Sequence, residues 1–391
     1  MIDSLGYTRV LEPFQNFDVE CQKVDDAGLE GCADMWLHPE SGMLYMACSD
    51  ARGRAEWFPS LNLLNASGRS SSDRIGVLDT RGSGPIKNRL TWLQVETPQG
   101  GNYDGTFNIH GFSIMVDRSN KKRLHIALIN DRPYKDTGEV WPPQIEWSTT
   151  IEYFATTLGS NIMTHKKTLD QPKIITPRRV LWLGEHLLVF TNAHRSKSRT
   201  GGYLDFLLGG GSIGYCTLPK GNCGTMKTDG NLRVPSGIAL GHDSLIYVAS
   251  SVSGQINVFS SDEHHLIKVD TIQVPHPISS ISIDDNGDIY ATTIPVLHEA
   301  MKNSQDPKAH IASAVFRIMK LGEMVEGETG WGWSVVKMME DDGKILPTTT
   351  IAVHDKKSGK MFLGGALDPF ISICEKKGGG SFTAPLNMLN L

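Results

Sequence analysis

The chain has 391 residues, 39% of them hydrophobic, with 40 glycines, six cysteines and a formal net charge of -5. That length can bury a large core in about one to three domains, and an acidic balance with no basic run argues against a nucleic-acid binder. No apolar run reaches membrane-spanning length, and Met1-Ile2-Asp3-Ser4 has no signal-peptide core, so nothing here implies membrane insertion of the numbered chain.

Taken in order, the chain reads as short strands separated by turns, with few convincing helices. The turn His38-Pro39-Glu40-Ser41-Gly42 feeds a strand from Met43 to Cys48, and Asn65-Ala66-Ser67 is a glycosylation sequon. A further strand runs from Arg123 to Ile129, followed by Asp131 in an Asp-Arg-Pro turn. The organising stretch is Ile174 to His194: a strand that begins with two adjacent arginines, Arg178 and Arg179, a corner at Gly184-Glu185, and a second strand ending in Thr191-Asn192-Ala193-His194. On a strand, neighbouring side chains point to opposite faces, so at most one of the two arginines faces a given cavity. The other needs a carboxylate, and Asp34 is a candidate.

Gly201-Gly202 and Gly209-Gly210-Gly211 bracket a segment, Tyr203 to Leu208, that reads as a lid or connection. Cys216 and Cys223 flank a Pro-Lys-Gly-Asn turn, the arrangement of a disulfide-closed hairpin, while the rest of the cysteine connectivity stays open. Ser244 to Ala249 and Gln255 to Phe259 form a hairpin. Similar units follow at Ile281 to Thr292, around Asp284-Asp285-Asn286-Gly287, and at Lys360 to Gly365, after His354-Asp355-Lys356-Lys357-Ser358-Gly359. One helix is expected, near His298 to Asn303, inside a polar insertion reaching about Ala312. Trp331 and Trp333 are candidates for a wall at a channel rim, with core packing as the competing reading. His186, His264, His265 and His354 read as turn or surface residues, and the tail beyond Gly378-Gly379-Gly380 as loosely held.

Hydrophobic-turn-hydrophobic units at spacings of some tens of residues are the footprint of a β-propeller, with a β-sandwich as the rival. The expected fold class is therefore all-β, a six-bladed propeller whose ring closes between N- and C-terminal strands. Its expected organisation is an extension over residues 1–20, one domain over 21–376 and a tail over 377–391. Six cysteines favour a secretory lumen or a secreted protein whose leader was removed, and free buried thiols in the cytoplasm are the alternative. No nucleophile elbow, phosphate-binding loop or dinucleotide fingerprint is present.

Phe107-Asn108-Ile109-His110-Gly111, Thr191-Asn192-Ala193-His194, Pro235-Ser236-Gly237-Ile238 and Gly364-Gly365-Ala366 occur in an order that resembles the paraoxonase/arylesterase family, in its fungal branch. The resemblance implies a ring closed by Cys21 and Cys374 and a catalytic calcium on the channel floor; Cys32, Cys48, Cys216 and Cys223 are expected to be the other disulfide cysteines. The residues at the family's calcium positions depart from it: Cys32-Ala33-Asp34 lacks a glutamate, Arg178-Arg179 stands for an Asn-Asp pair, Ser236 for a channel Asn and Ser279-Ser280 for an Asp-Asn pair. Two guanidinium groups repel a divalent cation, so the expectation is no metal and no cofactor. The branch includes hetero-Diels–Alderases that join polyketide tropolones to terpenes. It implies Arg178, Arg179, His110 and His194 as catalytic candidates, and Ser236, Ser280, Asp131, Ile294, Trp331 and Trp333 as substrate-binding ones. A calcium-dependent lactonase or arylesterase and a non-catalytic ligand-binding propeller remain alternatives, and the sequence gives no oligomeric state.

Overall fold

Six sheets of four or five strands stand around a common axis, each adding antiparallel strands outward from an innermost one; three take their outermost strand from earlier in the chain, Val19–Val24 antiparallel to its neighbour and Gln94–Glu96 and Lys227–Thr228 parallel to theirs. The computed structural model describes residues 5–99, 103–133, 147–197, 205, 208–303, 305–306, 308–322 and 331–383. The innermost strands are Asp34–His38, Ile109–Val116, Pro177–Gly184, Pro235–Leu240, Ile278–Ile283 and Thr349–Asp355, and we number the blades 1 to 6 in that order. Each packs beside the next around a central channel, and the sixth returns to the first. The architecture is a six-bladed β-propeller.

Blades hold together because strands alternate which side chains face the neighbouring sheet. Tyr45, Ile75, Phe112 and Ile126 fuse blades 1 and 2, and Tyr247, Ile256, Ile281 and Phe316 fuse blades 4 and 5. Blade 6 takes its outermost strand from the other end of the chain: Val19–Val24 pairs with Ile371–Lys376, with Cys21 opposite Cys374 and bonded to it. Disulfides also join Cys32 to Cys48 and Cys216 to Cys223. Three disulfides with no free thiol among the described residues fit an oxidising compartment. No helix among the described residues is long and apolar enough to cross a membrane.

The two ends of the channel are built differently. At one end, inner and second strands are joined by tight turns closed by Gly42, Gly287 and Gly359, whose φ values of 74°, 83° and 68° a side chain would resist. At the other end, which we call the mouth, second and third strands are joined by long segments, including residues 49–73 and 294–312. The latter carries the helix Leu297–Asn303, close to where the sequence puts one. The former carries the helix Ala51–Glu56, which the sequence reading omits. Its N-cap is Asp50, accepting from Arg52 and Gly53 N–H.

The described residues nearest each end of the chain are bound more firmly than the sequence suggests. Arg9 donates to the Pro295 carbonyl at 3.0 Å, and Glu12 meets Lys337 at 3.1 Å, so the leading segment is strapped to blade 5. Phe382 is buried in the core of blade 6, and its carbonyl accepts from Arg317 at 2.7 Å. The expectation of a loosely held tail therefore fails as far as Thr383, because an aromatic side chain buries itself there.

Candidate active site

The inner strands of blades 2 to 6 break register with their partners near their first residues, at Ile109, Pro177, Pro235, Ile278 and Thr349. A bulge re-aims side chains that strict alternation would otherwise fix, and at the mouth it sends adjacent residues to different tasks. Gly111 has the same origin: a Cβ there would come 2.6 Å from the Arg178 carbonyl of the next blade, so the close approach of inner strands requires glycine.

Arg179 spans the channel. Its Nη1 pairs with Asp34 Oδ1 of blade 1, its Nη2 donates to the Thr350 carbonyl of blade 6 at 3.2 Å, and its backbone N–H donates to Thr191 Oγ1 at 3.2 Å. Asp34 is buried and also accepts from the N–H groups of Met35 (2.8 Å) and Phe112 (2.9 Å). Burial pulls the Arg179 guanidinium down to about 9, leaving it a cation at neutral pH. Arg179 is thus a tie between blades, with Nη1 and Nη2 each engaged by protein.

Arg178 is held loosely. Its Nη1 reaches only Ser60 Oγ, at 3.5 Å, and its buried Nε has no partner among the described residues. Burial lowers it to about 10 and Asp131 pulls the other way, so it too stays charged. Beside it, His110 Nδ1 lies 3.2 Å from Asp131 Oδ2, and His110 Nε2 lies 3.1 Å from the Pro177 carbonyl. Both ring nitrogens meet acceptors, an arrangement satisfied when the ring or Asp131 carries the extra proton. Thr149 Oγ1 donates to the second Asp131 oxygen at 2.7 Å. His194 sits closer to solvent, its Nδ1 without a hydrogen bond and 3.7 Å from Asp205 Oδ2. Burial, and then the charge of Arg178, lower His194 to about 4 against the opposing pull of Asp205, so it is neutral.

Residues 49–73 lie over this group as a lid. The ends of the lid are fixed by the Cys32–Cys48 disulfide and by Ser49 Oγ donating to Asp73 Oδ1 at 2.5 Å. Arg54 donates to the Ile109 carbonyl at 2.6 Å, and Trp57 Nε1 to the Asp131 carbonyl at 3.4 Å. The Phe58 ring lies 5.5 Å from that of His110. Burial pushes the Asp73 carboxyl up, opposed by Arg54 and by Ser49 and Ser70. The enclosed cavity is lined by Arg54, Trp57, Phe58, Asn108, His110 and Asp131 among others, and has room for about one water molecule. Apart from the Asn65-Ala66-Ser67 sequon, none of the lid residues carries a sequence motif. The one local signal was the N-cap at Asp50.

The remaining candidates are scattered. Ser236 Oγ donates to the Ile278 carbonyl at 2.9 Å, and Ser280 Oγ is buried without a partner among the described residues. Ile294 follows the second strand of blade 5, where its N–H meets the Pro277 carbonyl at 3.0 Å. The rim-wall reading of Trp331 and Trp333 is corrected. Both pack at the outer edge of blade 5, where Trp331 N–H and Trp333 Nε1 donate to Asp270 Oδ2 at 2.9 and 2.8 Å and Lys320 covers the Trp331 ring. His354 is not a surface residue: it is buried and bonded to Asp284 at 2.8 Å. Asn65 is exposed on the lid. Of the glycine-bracketed segment, Gly201 to Leu204, Phe206 and Leu207 lie outside the described residues.

With this geometry in view, the sequence matches the arylesterase family model over residues 87–370, most of the chain. The chain belongs to the arylesterase family. Among solved structures it is similar to virginiamycin B lyase from Staphylococcus aureus, at 9% identity and TM-score 0.44, covering 91% of this chain and 99% of that one. It is also similar to the PQQ-bound aldose sugar dehydrogenase from Streptomyces coelicolor, at 12% identity and TM-score 0.49, covering 91% and 98%. No curated protein sequence matches it.

The residues here do not fit the calcium that the family resemblance implies. The Asp34 carboxylate is engaged by Arg179, the Ser236 hydroxyl is spent on a carbonyl, and Arg178 adds a second cation. No three acidic, histidine or cysteine side chains converge among the described residues. A hard cation needs several oxygens with free lone pairs, preferably carboxylates.

Proposed function

We propose that this protein is a small-molecule enzyme working in its channel without a divalent cation. The proposed reaction is a hetero-Diels–Alder cycloaddition of a tropolone-derived o-quinone methide with the alkene of a humulene-type sesquiterpene. The observation behind this reading is Arg178, a charged guanidinium at the mouth with one weak hydroxyl partner among the described residues. A fork of N–H donors on the carbonyl oxygen of the quinone methide stabilises the negative charge that grows there as the ring forms. The walls supply orientation, which alone accelerates a bimolecular coupling strongly. His110, oriented by Asp131, can give the proton on Nε2 to a departing hydroxyl, when the quinone methide arises by loss of water from an alcohol precursor, once that nitrogen leaves the Pro177 carbonyl. Neutral His194 serves as a hydrogen-bonding partner near Arg178.

Family membership favours one competing reading, a calcium-dependent lactonase or arylesterase. The test is to dialyse the purified protein exhaustively, count bound calcium, and measure the coupling rate of a reactive diene with humulene against the uncatalysed rate. Metal-free, folded protein that accelerates coupling supports the proposal, and Arg178→Ala should then lose the acceleration. Tightly bound calcium with ester or lactone hydrolysis abolished by chelator would overturn it. Binding without acceleration would leave a ligand-binding propeller.

A further inference from the structure

Arg178 meets a lid residue, Ser60, and not a carboxylate. A guanidinium–hydroxyl contact at 3.5 Å lies at the outer limit of a hydrogen bond, and the buried Nε beside it has no partner among the described residues. The lid over it is fixed at both ends, by the Cys32–Cys48 disulfide and by the Ser49–Asp73 bond. Its middle touches the mouth through side chains: Trp57 on the Asp131 carbonyl, Phe58 on His110 and Ser60 on Arg178. The cavity under Trp57 and Phe58, lined by His110 and Asp131, has room for about one water molecule, and at Arg178 Nη1 the Ser60 hydroxyl itself takes the place. A ligand oxygen on that nitrogen and the Ser60 hydroxyl therefore cannot both sit there.

We infer that the Ser60 hydroxyl occupies the seat of the ligand's oxygen on Arg178, and that binding exchanges the one for the other while Trp57 and Phe58 become the aromatic wall of the filled site. The inference rests on the reading of Arg178 as the ligand's cationic donor. The exchange selects a ligand class. A neutral hydroxyl is a modest acceptor, so an oxygen that carries substantial negative charge displaces it readily, and one that does not competes poorly. Two adjacent oxygens match the planar fork of the guanidinium better than one. A flat conjugated ring lies well against Phe58 and Trp57, because aromatic faces pack offset or edge-on. Together these features specify a planar vinylogous acid or enolate with neighbouring oxygens. In the absence of ligand Ser60 acts as a weak plug.

The test uses tropolone itself as the probe, titrated calorimetrically into the full-length protein, with chelator present because tropolone binds metal ions. Ser60→Ala should tighten binding by a few-fold, having no plug to displace. Ser60→Asp should weaken it at least about ten-fold, because a carboxylate at the seat pairs with Arg178, and added salt should relieve part of that loss. Thermal melts check that both variants are folded. If Ser60→Ala and Ser60→Asp both bind as the wild type does, while Arg178→Ala loses binding, the seat is elsewhere on Arg178 and this inference fails alone. If Arg178→Ala binds tropolone normally, or the wild type takes up none, the underlying reading of Arg178 fails with it.

Discussion

Each end of the channel carries a buried histidine–aspartate pair, and the two pairs live in different surroundings. At the tight-turn end, His354 Nδ1 meets Asp284 Oδ2 at 2.8 Å, and the same carboxylate accepts from Tyr290 Oη at 3.3 Å and from the Asn286 and Asp288 N–H groups at 2.9 and 3.1 Å. Burial would raise Asp284, but the bonds from His354 and the two amides outweigh it and hold the carboxyl below its usual range. At the mouth, His110 and Asp131 sit 3.2 Å apart under the lid, beside Arg178, whose Nε has no partner among the described residues. Similar residue types make a fully bonded rivet at one end and a less committed cluster at the other. The difference lies in hydrogen-bonding capacity left unspent and in the length of the covering segment.

The sharpest way to break this comparison uses the two neighbouring arginines. Arg179→Ala strands the buried Asp34 carboxylate and should cost about 4 kcal/mol in denaturant unfolding. Arg178→Ala should cost under about 1 kcal/mol while abolishing ligand binding. Equal losses for both would mean that the mouth is as structural as the tie.

Next in size is Asp368, a buried carboxyl near the lid's apolar contacts, pushed up to about 6 by burial, with Oδ2 unpaired among the described residues. Its folded-state value exceeds its unfolded one. Its contribution is therefore most favourable below about pH 4 and declines as pH rises through 6. Asp368→Asn should gain up to about 3 kcal/mol at pH 7 and nothing below pH 4, read from melts across pH.

Asp284 has the opposite sign. Its lowered carboxyl stabilises the fold above the ordinary carboxylate range and loses that contribution as pH falls below it. Asp284→Asn should cost about 1–2 kcal/mol at pH 7 and less at pH 3. The smallest effect is at His194. With its imidazole held near 4, His194→Gln should leave the pH profile of activity unchanged between about pH 5 and 8. A profile whose alkaline or acid limb moves with that change would assign His194 a proton-transfer role.

The propeller was legible because its turns are local. His38 to Gly42, Asp284 to Gly287 and His354 to Gly359 each spell a tight reversal between apolar strands, and the one longer helix sits where its polar insertion suggested. Arg178 stood out as one of two adjacent arginines at a strand start, His110 through a family motif and Asp131 in its Asp-Arg-Pro turn, and the structure brings those three together. Strand alternation already implied that Arg178 and Arg179 part company, but only the fold shows which one meets Asp34. Three features could not be read. The lid is a short helix and a two-stranded hairpin whose role exists only in tertiary contact. Asp368 is defined by its burial. Trp331 and Trp333 look like channel aromatics until the outermost strand of blade 5 is placed against blade 4.

The shared sixth blade has a consequence for how the molecule is made. A ribosome releases Val19–Val24 long before its partner Ile371–Lys376. Throughout that interval the early strand has an open hydrogen-bonding edge, the kind that invites pairing with the wrong chain. Its sequence, Val-Glu-Cys-Gln-Lys-Val, places charged and polar side chains between its apolar ends, which suits a strand that must stay soluble while it waits. Five blades can assemble as they emerge, but the ring is sealed last, by residues 353 positions apart.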